Sequence, residues 1–267
     1  MNRHHTALIT GGASGLGAAM ARRFADQGWR VVVADRDEPG ARAMAEALGE
    51  GAVALVMDVT DPDDWQRAVD HITECGWSLD VLINNAGVAV GGSLEETSVE
   101  DWRWVMEIDL MGVVLGCKAF APLMRERGVG HIINVASFAG LAGAPQINAY
   151  GTAKAGVIAM SEMLRVELAP AGIEVSVLCP AFVRTRLTET MRAPDDGYHR
   201  RVERWMDSSR ISAEDVAEVV WKAVRKPRFL LLTHGDTRWL WRLKRLLPEL
   251  YYRIMLRGAR KFARSHR

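Results

Sequence analysis

Short apolar runs alternate with segments of helical spacing along most of the chain. The runs are rich in valine, isoleucine and leucine, as expected for strands buried on both faces of a parallel sheet. The intervening segments repeat apolar residues at helical intervals, as at Leu16, Met20 and Phe24. The pattern predicts strands at residues 6–10, 30–34, 52–57, 81–84, 131–136, 174–178 and 229–233.

The helical segments fall between these strands, and the last is capped by Ser212 with Asp215 three residues on. Strand–helix alternation predicts the α/β class, with a single Rossmann-like, doubly wound parallel sheet covered by helices on both faces. A C-terminal helical extension follows the sheet. The predicted helices of the main domain are residues 15–27, 39–48, 62–75, 101–127, 150–169 and 215–224.

Length and charge divide the chain into two unequal parts. Its 267 residues suit one domain, and we expect residues 1–235 to form a dinucleotide-binding and catalytic domain. Residues 236–267 are expected to form a basic amphipathic extension. They carry ten lysines and arginines against two acidic residues, a net charge of +8. The whole chain has a net charge of +1, so the remainder carries −7 and no overall field favours nucleic acid or membrane.

Cysteine usage and the apolar runs indicate the compartment. Cys75, Cys117 and Cys179 are far apart, and no CxxC motif or Cys/His cluster predicts a metal site. The first five residues lack the features of a signal peptide, and no apolar run reaches the ~18 residues that span a bilayer. A reduced, cytoplasmic protein is the expectation.

A glycine-rich turn follows the first strand and opens the first helix. Residues 10–17 read TGGASGLG. Glycines let the backbone approach a pyrophosphate, and the helix N-terminus supplies amides. Asp35 ends the second strand 18 residues after Gly17, where a carboxylate that binds the ribose 2′-hydroxyl is expected, about 20 residues on. The alternative is that Asp35 is only a solvated strand end.

Asp35 also bears on the choice of cofactor. A carboxylate accepts a hydrogen bond from a 2′-hydroxyl and repels a 2′-phosphate, so it favours NAD. The adjacent Arg36 could instead hold the phosphate of NADP, but Ser14 within the turn is not basic. The residues therefore predict NAD, with NADP as the less favoured cofactor.

Three polar residues later in the chain have the spacing of an acid–base site. Tyr150 and Lys154 are four residues apart and share one helix face. A phenol has a pKa near 10, and an adjacent ammonium group lowers it toward the useful range. Such a pair alone is common on protein surfaces. Ser137 strengthens the prediction, because it lies at the end of the fifth strand and could donate to a substrate oxygen.

Taken together, these motifs resemble the short-chain dehydrogenase/reductase family over residues 6–233. Residues 10–17 match its TGxxxGxG turn, residues 84–87 its NNAG motif and residues 180–185 its PGxxxT segment. Asp58 and Val59 resemble its adenine-contacting pair. The resemblance implies cofactor-binding roles for Gly11, Ser14, Gly15, Leu16, Gly17, Asp35, Arg36, Asp58, Val59, Asn85, Ala86, Gly87, Tyr150, Lys154, Pro180, Val183 and Thr185.

The family resemblance further implies an enzyme that moves a hydride between NAD(P) and a secondary alcohol/ketone pair. Tyr150 would exchange the proton, Lys154 would lower its pKa and bind the ribose, and Ser137 would hold the substrate oxygen. Apolar segments around the site favour an uncharged, apolar substrate. Family members form dimers or tetramers, here through residues 102–127 and 150–169. The alternatives are an NADPH-dependent carbonyl reductase and a non-catalytic NAD-binding protein on the same fold.

Two positions depart from the family pattern. Ala181 replaces the glycine after the proline, and we expect little consequence. Asp109 stands where the family has an asparagine that holds a water linking the lysine to solvent. An ionised carboxylate can accept from that water but cannot donate. Asp109 is therefore a candidate catalytic residue, and the alternative is a tolerated isostere.

The extension is the last feature of the sequence. Pro248 suits the first turn of a new helix, so two short helices are expected. Packing on this subunit or a neighbour is one interpretation, and peripheral contact with a membrane surface is another. Nucleic-acid binding is not expected, because no recognised motif accompanies the basic residues. The apolar positions that approximate one helical face are 239, 243, 246, 247, 250 and 254.

Overall fold

The computed structural model describes residues 5–264, with side chains to residue 260. Its main-domain strands and helices begin and end within two residues of most of the positions predicted from the sequence. The elements are β1 Thr6–Thr10, α1 Gly15–Ala25, β2 Arg30–Asp35, α2 Glu38–Leu48, β3 Ala52–Val56, α3 Pro62–Glu74, β4 Leu79–Asn84, α4 Val99–Met106, α5 Gly112–Arg127, β5 Gly130–Val135, α6 Phe138–Ala142, α7 Asn148–Leu168, β6 Ile173–Cys179, α8 Asp196–Asp207, α9 Ala213–Arg225, β7 Leu230–Leu232, α10 Gly235–Leu246 and α11 Pro248–Arg264.

The seven strands form one parallel sheet in the order β3-β2-β1-β4-β5-β6-β7. From β1 to β3, each new strand is added on one side of β1. From β4 onward, the strands are added on the other side, so the strand order reverses between β1 and β4. In open α/β sheets, ligands bind at the carboxyl ends of the strands, where the strand order reverses. The predicted doubly wound fold is confirmed, and its ligand crevice lies beyond β1 and β4.

Both faces of the sheet are buried, which explains why the strands are continuous apolar runs. Val31 and Val33 of β2 pack with Phe24 of α1 in one layer. Val32, between them, packs with Phe120 of α5 in the other layer. Since side chains alternate along a strand, a strand covered on both sides has no polar face.

The long predicted helix at residues 101–127 is interrupted. Between α4 and α5 the chain makes a π-helical turn, Glu107–Met111. Such turns insert an extra residue into a helix and are frequent at functional sites. Asp109 lies within this turn with its side chain fully buried. Periodicity alone did not predict the change of winding.

Two short helices lie outside the predicted pattern. Helix α6 has five residues and begins directly after Ser137, which caps its N-terminus. Helix α8 is capped by Asp195 and covers the stretch for which the sequence predicted no bounded element. A helix as short as α6 has too few turns to show a period.

The extension forms two helices divided at Pro248, as predicted. Thr237 and Tyr251 are buried, and Trp241 packs against the core. Trp239 and Leu246, two positions of the apolar pattern, are 60% and 75% exposed, so these two side chains do not pack on the same subunit. No helix in residues 5–264 is long and apolar enough to cross a membrane.

Candidate active site

The glycine turn after β1 is tied to the segment that follows β4. The hydroxyl of Thr10 accepts hydrogen bonds from the backbone amides of Asn85 (2.9 Å) and Ala86 (3.0 Å). The side chain of Asn85 donates back to the carbonyl of Thr10 at 2.8 Å. These bonds join two of the predicted cofactor-binding motifs at the carboxyl edge of the sheet.

Two glycines of the turn are needed for close approach of backbones. Gly11 has a positive φ of 63°, and a Cβ there would lie 3.0 Å from the Cα of Ala86. A Cβ on Gly17 would overlap the carbonyl oxygen of Gly11. Any side chain at either position would therefore open the turn.

The N-terminus of α1 points into this turn without a side-chain cap. Ser14 is the N-cap residue, and its side chain makes no capping hydrogen bond. Gly15 has a φ of 53°, and a Cβ there would lie 3.3 Å from the Cβ of Thr185. Leu16 is half-buried and packs on the core. Free helix amides in a glycine cradle fit the pyrophosphate of a dinucleotide.

Asp35 faces the glycine turn from the end of β2. One carboxylate oxygen accepts from the amide of Ala13 at 3.0 Å, and the other accepts from the amide of Asp37 at 3.1 Å. Arg36 is exposed. The carboxylate is thus held in a fixed orientation beside the turn, where the sequence predicted it.

Asp58 and Val59 follow β3 on the same edge. The amide of Asp58 donates to Asp64 at 2.7 Å, while its own carboxylate accepts from Thr60. A Cβ on Gly112 of α5 would lie 2.9 Å from Val59. The pair therefore forms one wall of the crevice against α5.

The segment at residues 180–185 closes the crevice on its other side. The carbonyl of Pro180 accepts from the amide of Phe138 at 2.8 Å, and Val183 is buried. Ala181 does not have a positive φ, so it adopts its conformation without strain. Alanine in place of the family's glycine is consistent with the backbone found here.

Ser137, Tyr150 and Lys154 come together where β5, α6 and α7 meet. The hydroxyl of Ser137 accepts from the amide of Ala139 at 3.1 Å. Lys154 Nζ lies 5.8 Å from the centre of the Tyr150 ring. It also donates to the carbonyl of Val135 at 3.1 Å. The triad predicted from spacing is therefore assembled at the carboxyl end of β5.

Asp109 contacts Lys154 directly. Its Oδ2 lies 3.1 Å from Lys154 Nζ in a buried ion pair, and its Oδ1 accepts from the amide of Val88 at 2.8 Å. A Cβ on Gly87 would lie 3.2 Å from both Asp109 and Lys154. The sequence left two interpretations of Asp109 open, a residue of the water-linked relay and a tolerated isostere. The π-helical turn brings its carboxylate into direct contact with the Lys154 ammonium group.

Burial and charge act on the proton affinity of Tyr150 in opposite directions. Burial raises the pKa of its phenol, and the Lys154 ammonium lowers it. Asp109 raises this pKa again, whereas hydrogen bonding with Ser137 lowers it. Burial would lower the pKa of Lys154, but Asp109 and Tyr150 raise it, so the lysine keeps its proton. Burial also raises the pKa of Asp109 itself, while Lys154 lowers it. In its ionised form, Asp109 holds the cation charged and weakens its effect on the phenol.

An aromatic pair lies near the crevice and was not predicted as a unit. Phe182 and Trp205 of α8 are 47% and 46% exposed, with ring centroids 5.5 Å apart. The neighbouring Met206 is buried.

Comparison with known proteins gives the same family as the motifs. The model of the family described as short chain dehydrogenase matches residues 5–196. A trans-4-hydroxycyclohexanecarboxylate dehydrogenase from Sinomonas cyclohexanicum is 40% identical, over 70% of this chain and 75% of that protein. A 3-alpha-(or 20-beta)-hydroxysteroid dehydrogenase from Mycobacterium bovis is 34% identical, over 77% of this chain and 78% of its own length.

A solved structure extends the likeness to nearly the full chain. It is a short chain dehydrogenase/reductase from Burkholderia phymatum in complex with NAD. Its TM-score is 0.87 at 33% identity, covering 93% of this chain and 95% of that chain. This protein belongs to the short-chain dehydrogenase/reductase family. It is an NAD(P)-dependent oxidoreductase that acts on CH–OH groups.

Proposed function

We propose that Tyr150 is the acid–base residue of a secondary-alcohol dehydrogenase. The observation that carries this proposal is the set formed by the partly buried Tyr150 with the buried Lys154 and Ser137 at the carboxyl edge of the sheet. In oxidation, Tyr150 takes the proton of the substrate hydroxyl while Ser137 donates a hydrogen bond to the same oxygen. In reduction, Tyr150 returns the proton. Lys154 stabilises the phenolate in both directions.

The nicotinamide cofactor supplies the hydride acceptor or donor. The cradle formed by Gly11, Gly15 and Gly17 would hold its pyrophosphate, and Asp58 and Val59 would flank its adenine. The segments at residues 85–87 and 180–185 would bind its nicotinamide end. The uncapped N-terminus of α1 supports this placement, because its amides have no side-chain acceptor at Ser14.

NAD is the cofactor we propose over NADP. The fixed carboxylate of Asp35 would accept from a ribose 2′-hydroxyl and repel a 2′-phosphate. Hydrogen bonds to charged groups contribute about 1.5–3 kcal/mol, so Asp35→Ala should reduce the NAD/NADP ratio of kcat/KM by ~10-fold or more. Arg36→Ala is the matched control and should leave kcat/KM with NAD unchanged. A wild-type preference for NADP would show that Arg36 sets the choice.

The substrate we propose is an apolar secondary alcohol on a carbon ring. The exposed rings of Phe182 and Trp205 offer an apolar surface beside the crevice. Two relatives, a hydroxycyclohexanecarboxylate dehydrogenase and a hydroxysteroid dehydrogenase, are named for ring alcohols as well.

A substrate panel tests this proposal directly. Cyclohexanol, trans-4-hydroxycyclohexanecarboxylate, a 3α-hydroxysteroid and an open-chain secondary alcohol are each assayed with NAD, following absorbance of the reduced cofactor. We expect at least one ring alcohol to have a higher kcat/KM than the open-chain alcohol. Equal rates would contradict the ring preference. Absence of turnover with bound NAD would instead favour a non-catalytic NAD-binding protein.

We also propose a homo-oligomer, a dimer or tetramer, formed through α5 and α7. Met163 and Val166 of α7 are large, apolar and exposed, which is unusual for a helix without a partner. Light scattering after size exclusion should give at least twice the 29.5 kDa chain mass. The double variant Met163→Lys and Val166→Lys should shift the mass toward the monomer.

Peripheral contact with an anionic membrane is the second partner we propose. Trp239 and Leu246 lie on the outward side of α10, and Arg238, Arg242 and Arg245 beside them match a negative surface. The protein should sediment with anionic vesicles at low salt, and Trp239→Gln with Leu246→Gln should release it. Equal sedimentation of wild type and variant would exclude this surface.

A further inference from the structure

The inward side of the extension reaches a helix of the active site. Lys244 of α10 donates to the carbonyl of Leu141. Tyr251 of α11 donates its hydroxyl proton to the carbonyl of Ala142 at 2.9 Å, and only 2% of Tyr251 is exposed. Both acceptors belong to the last turn of α6. The extension therefore supplies hydrogen-bond donors to the C-terminal end of this short helix.

The other end of α6 is the proposed substrate-oxygen site. Ser137 is the N-cap of this helix, and its hydroxyl accepts from the amide of Ala139. Five residues make little more than one helical turn, so end groups carry much of the hydrogen bonding of α6. A helix this short is marginal without tertiary contacts. Whatever holds its C-terminus therefore also affects its N-cap.

The middle of α6 packs against α7, the helix that carries Tyr150 and Lys154. A Cβ on Gly140 would lie 2.7 Å from the backbone carbon of Lys154 and the nitrogen of Ala155. Gly143 ends α6 in the left-handed region at φ 66°. Helix α6 thus lies between α7 and the extension, and the extension is the side that can change independently of Lys154.

We propose that Lys244 and Tyr251 are positioning residues of the enzyme, which fix α6 and thereby the orientation of Ser137. This inference rests on the proposed role of Ser137. The inward face of the extension would thus orient a group of the active site, whereas the outward face carries the proposed membrane contact. Neither residue touches substrate, and each acts through the last carbonyl groups of α6.

The first experiment follows backbone amide exchange and needs no substrate. The amides of Ala139 and Gly143 report the two ends of α6, since they donate to Ser137 Oγ and to the carbonyl of Ala139. Tyr251→Phe removes only the hydroxyl. It should speed exchange of both amides by about 2- to 10-fold, the factor expected for one net hydrogen bond. Tyr252→Phe, which removes the hydroxyl of the exposed neighbouring ring, is the control and should change neither.

A second readout separates positioning from stability alone. With tyrosines labelled at Cζ with ¹³C, the Tyr150 signal, assigned by Tyr150→Phe, reports the surroundings of its phenol oxygen, on which the Ser137 hydroxyl acts. Tyr251→Phe should shift this signal in the same direction as Ser137→Ala, and should shift it no further in the Ser137→Ala background. Lys244→Met should shift the Tyr150 signal in the same direction. Lys244→Arg, which retains a donor, should leave the Tyr150 signal at its wild-type position.

Two results would overturn the proposal. One is faster exchange in α6 with an unmoved Tyr150 signal, which would make the extension purely structural. The other is unchanged exchange in Tyr251→Phe, which would show that the carbonyl bonds do not hold α6. Failure of the alcohol panel would leave both measurements interpretable, because neither depends on turnover.

Discussion

The carboxyl ends of the strands form one edge of the sheet, here the carboxyl edge, and their amino ends form the opposite one, the amino edge. Ionisable side chains are buried at both edges, but in opposite charge states. At the carboxyl edge, Lys154 and Asp109 are almost fully buried and form an ion pair. At the amino edge, His131 in β5 is buried beside Ser176 at 2.8 Å, and burial lowers its pKa to about 4. Ser176 donates its own proton to the carbonyl of Arg228, so His131 serves as a neutral donor.

The difference follows from what each edge faces. The carboxyl edge opens on the crevice, where a buried cation can act on the phenol of Tyr150. Keeping that cation requires a buried counter-ion, which Asp109 provides. Within residues 5–264, His131 forms no ion pair, and losing its charge is then the less costly state. Changes at the carboxyl edge should therefore alter turnover, and changes at the amino edge should alter stability.

The largest expected effect is at Tyr150. Tyr150→Phe removes the proton donor and leaves the ring, so kcat should fall by ~10²–10⁴. Binding of NAD, measured by calorimetry, and the melting temperature should change little. Near-normal turnover in this variant would show that the carboxyl edge does not work through the phenol, and the contrast between the edges would lose its basis.

The next largest effect concerns the amino edge. The unfolded chain binds a proton at His131 below pH ~6.5, whereas the folded chain does so only below about 4. Stability should therefore fall as pH decreases through this window, by up to about 3 kcal/mol at 1.36 kcal/mol per pKa unit. His131→Gln keeps a donor for Ser176 without the titration and should remove this part of the slope.

Urea unfolding over the same pH window measures this effect, with kcat followed in parallel. His199→Gln, at a partly exposed histidine of α8, is the matched control and should keep the wild-type slope. An unchanged slope in His131→Gln would mean that His131 takes up its proton over the same pH range in the folded and unfolded chains. A large loss of kcat would mean that the two edges are not independent.

The fold and most of the site could be predicted from local pattern. Continuous apolar strands, the glycine turn, and the spacing of Ser137, Tyr150 and Lys154 each depend on residues close together in the chain. Their meeting at one edge then follows from parallel topology. The short α6 could not be predicted, because it has too few turns to show a period and its last two carbonyl groups are bound by Lys244 and Tyr251, about a hundred residues away.

Backbone geometry was the second limit. Gln146 has a positive φ of 64°, unusual for a residue other than glycine. Its carbonyl accepts from the amide of Gly92 and from the hydroxyl of Tyr198, both at 2.7 Å. The π-helical turn that carries Asp109 is a similar case, since the surrounding sequence has ordinary helical spacing. Conformations held by distant partners leave no local signal.

The smallest expected effect is at Asp109, and it sharpens the account of the carboxyl edge. With a neutral phenol, the set of Asp109, Lys154 and Tyr150 has no net charge, and ionisation of Tyr150 makes it negative. With asparagine, ionisation of Tyr150 would instead make the set neutral. Removing the carboxylate should therefore lower the pKa of Tyr150 and move the alkaline rise of kcat/KM to lower pH, by up to about one unit.

Asp109→Asn is a close structural match, because an amide oxygen can still accept from Val88 and the carbonyl of Val135 still accepts from Lys154. The pH profile of kcat/KM for the best alcohol is the measurement, with Glu107→Gln in the same π-helical turn as the control. A rise displaced to higher pH would mean that Lys154 loses its proton without the counter-ion. An unchanged profile would mean that Asp109 carries no charge near neutral pH, and the carboxyl edge would then bury a lone cation.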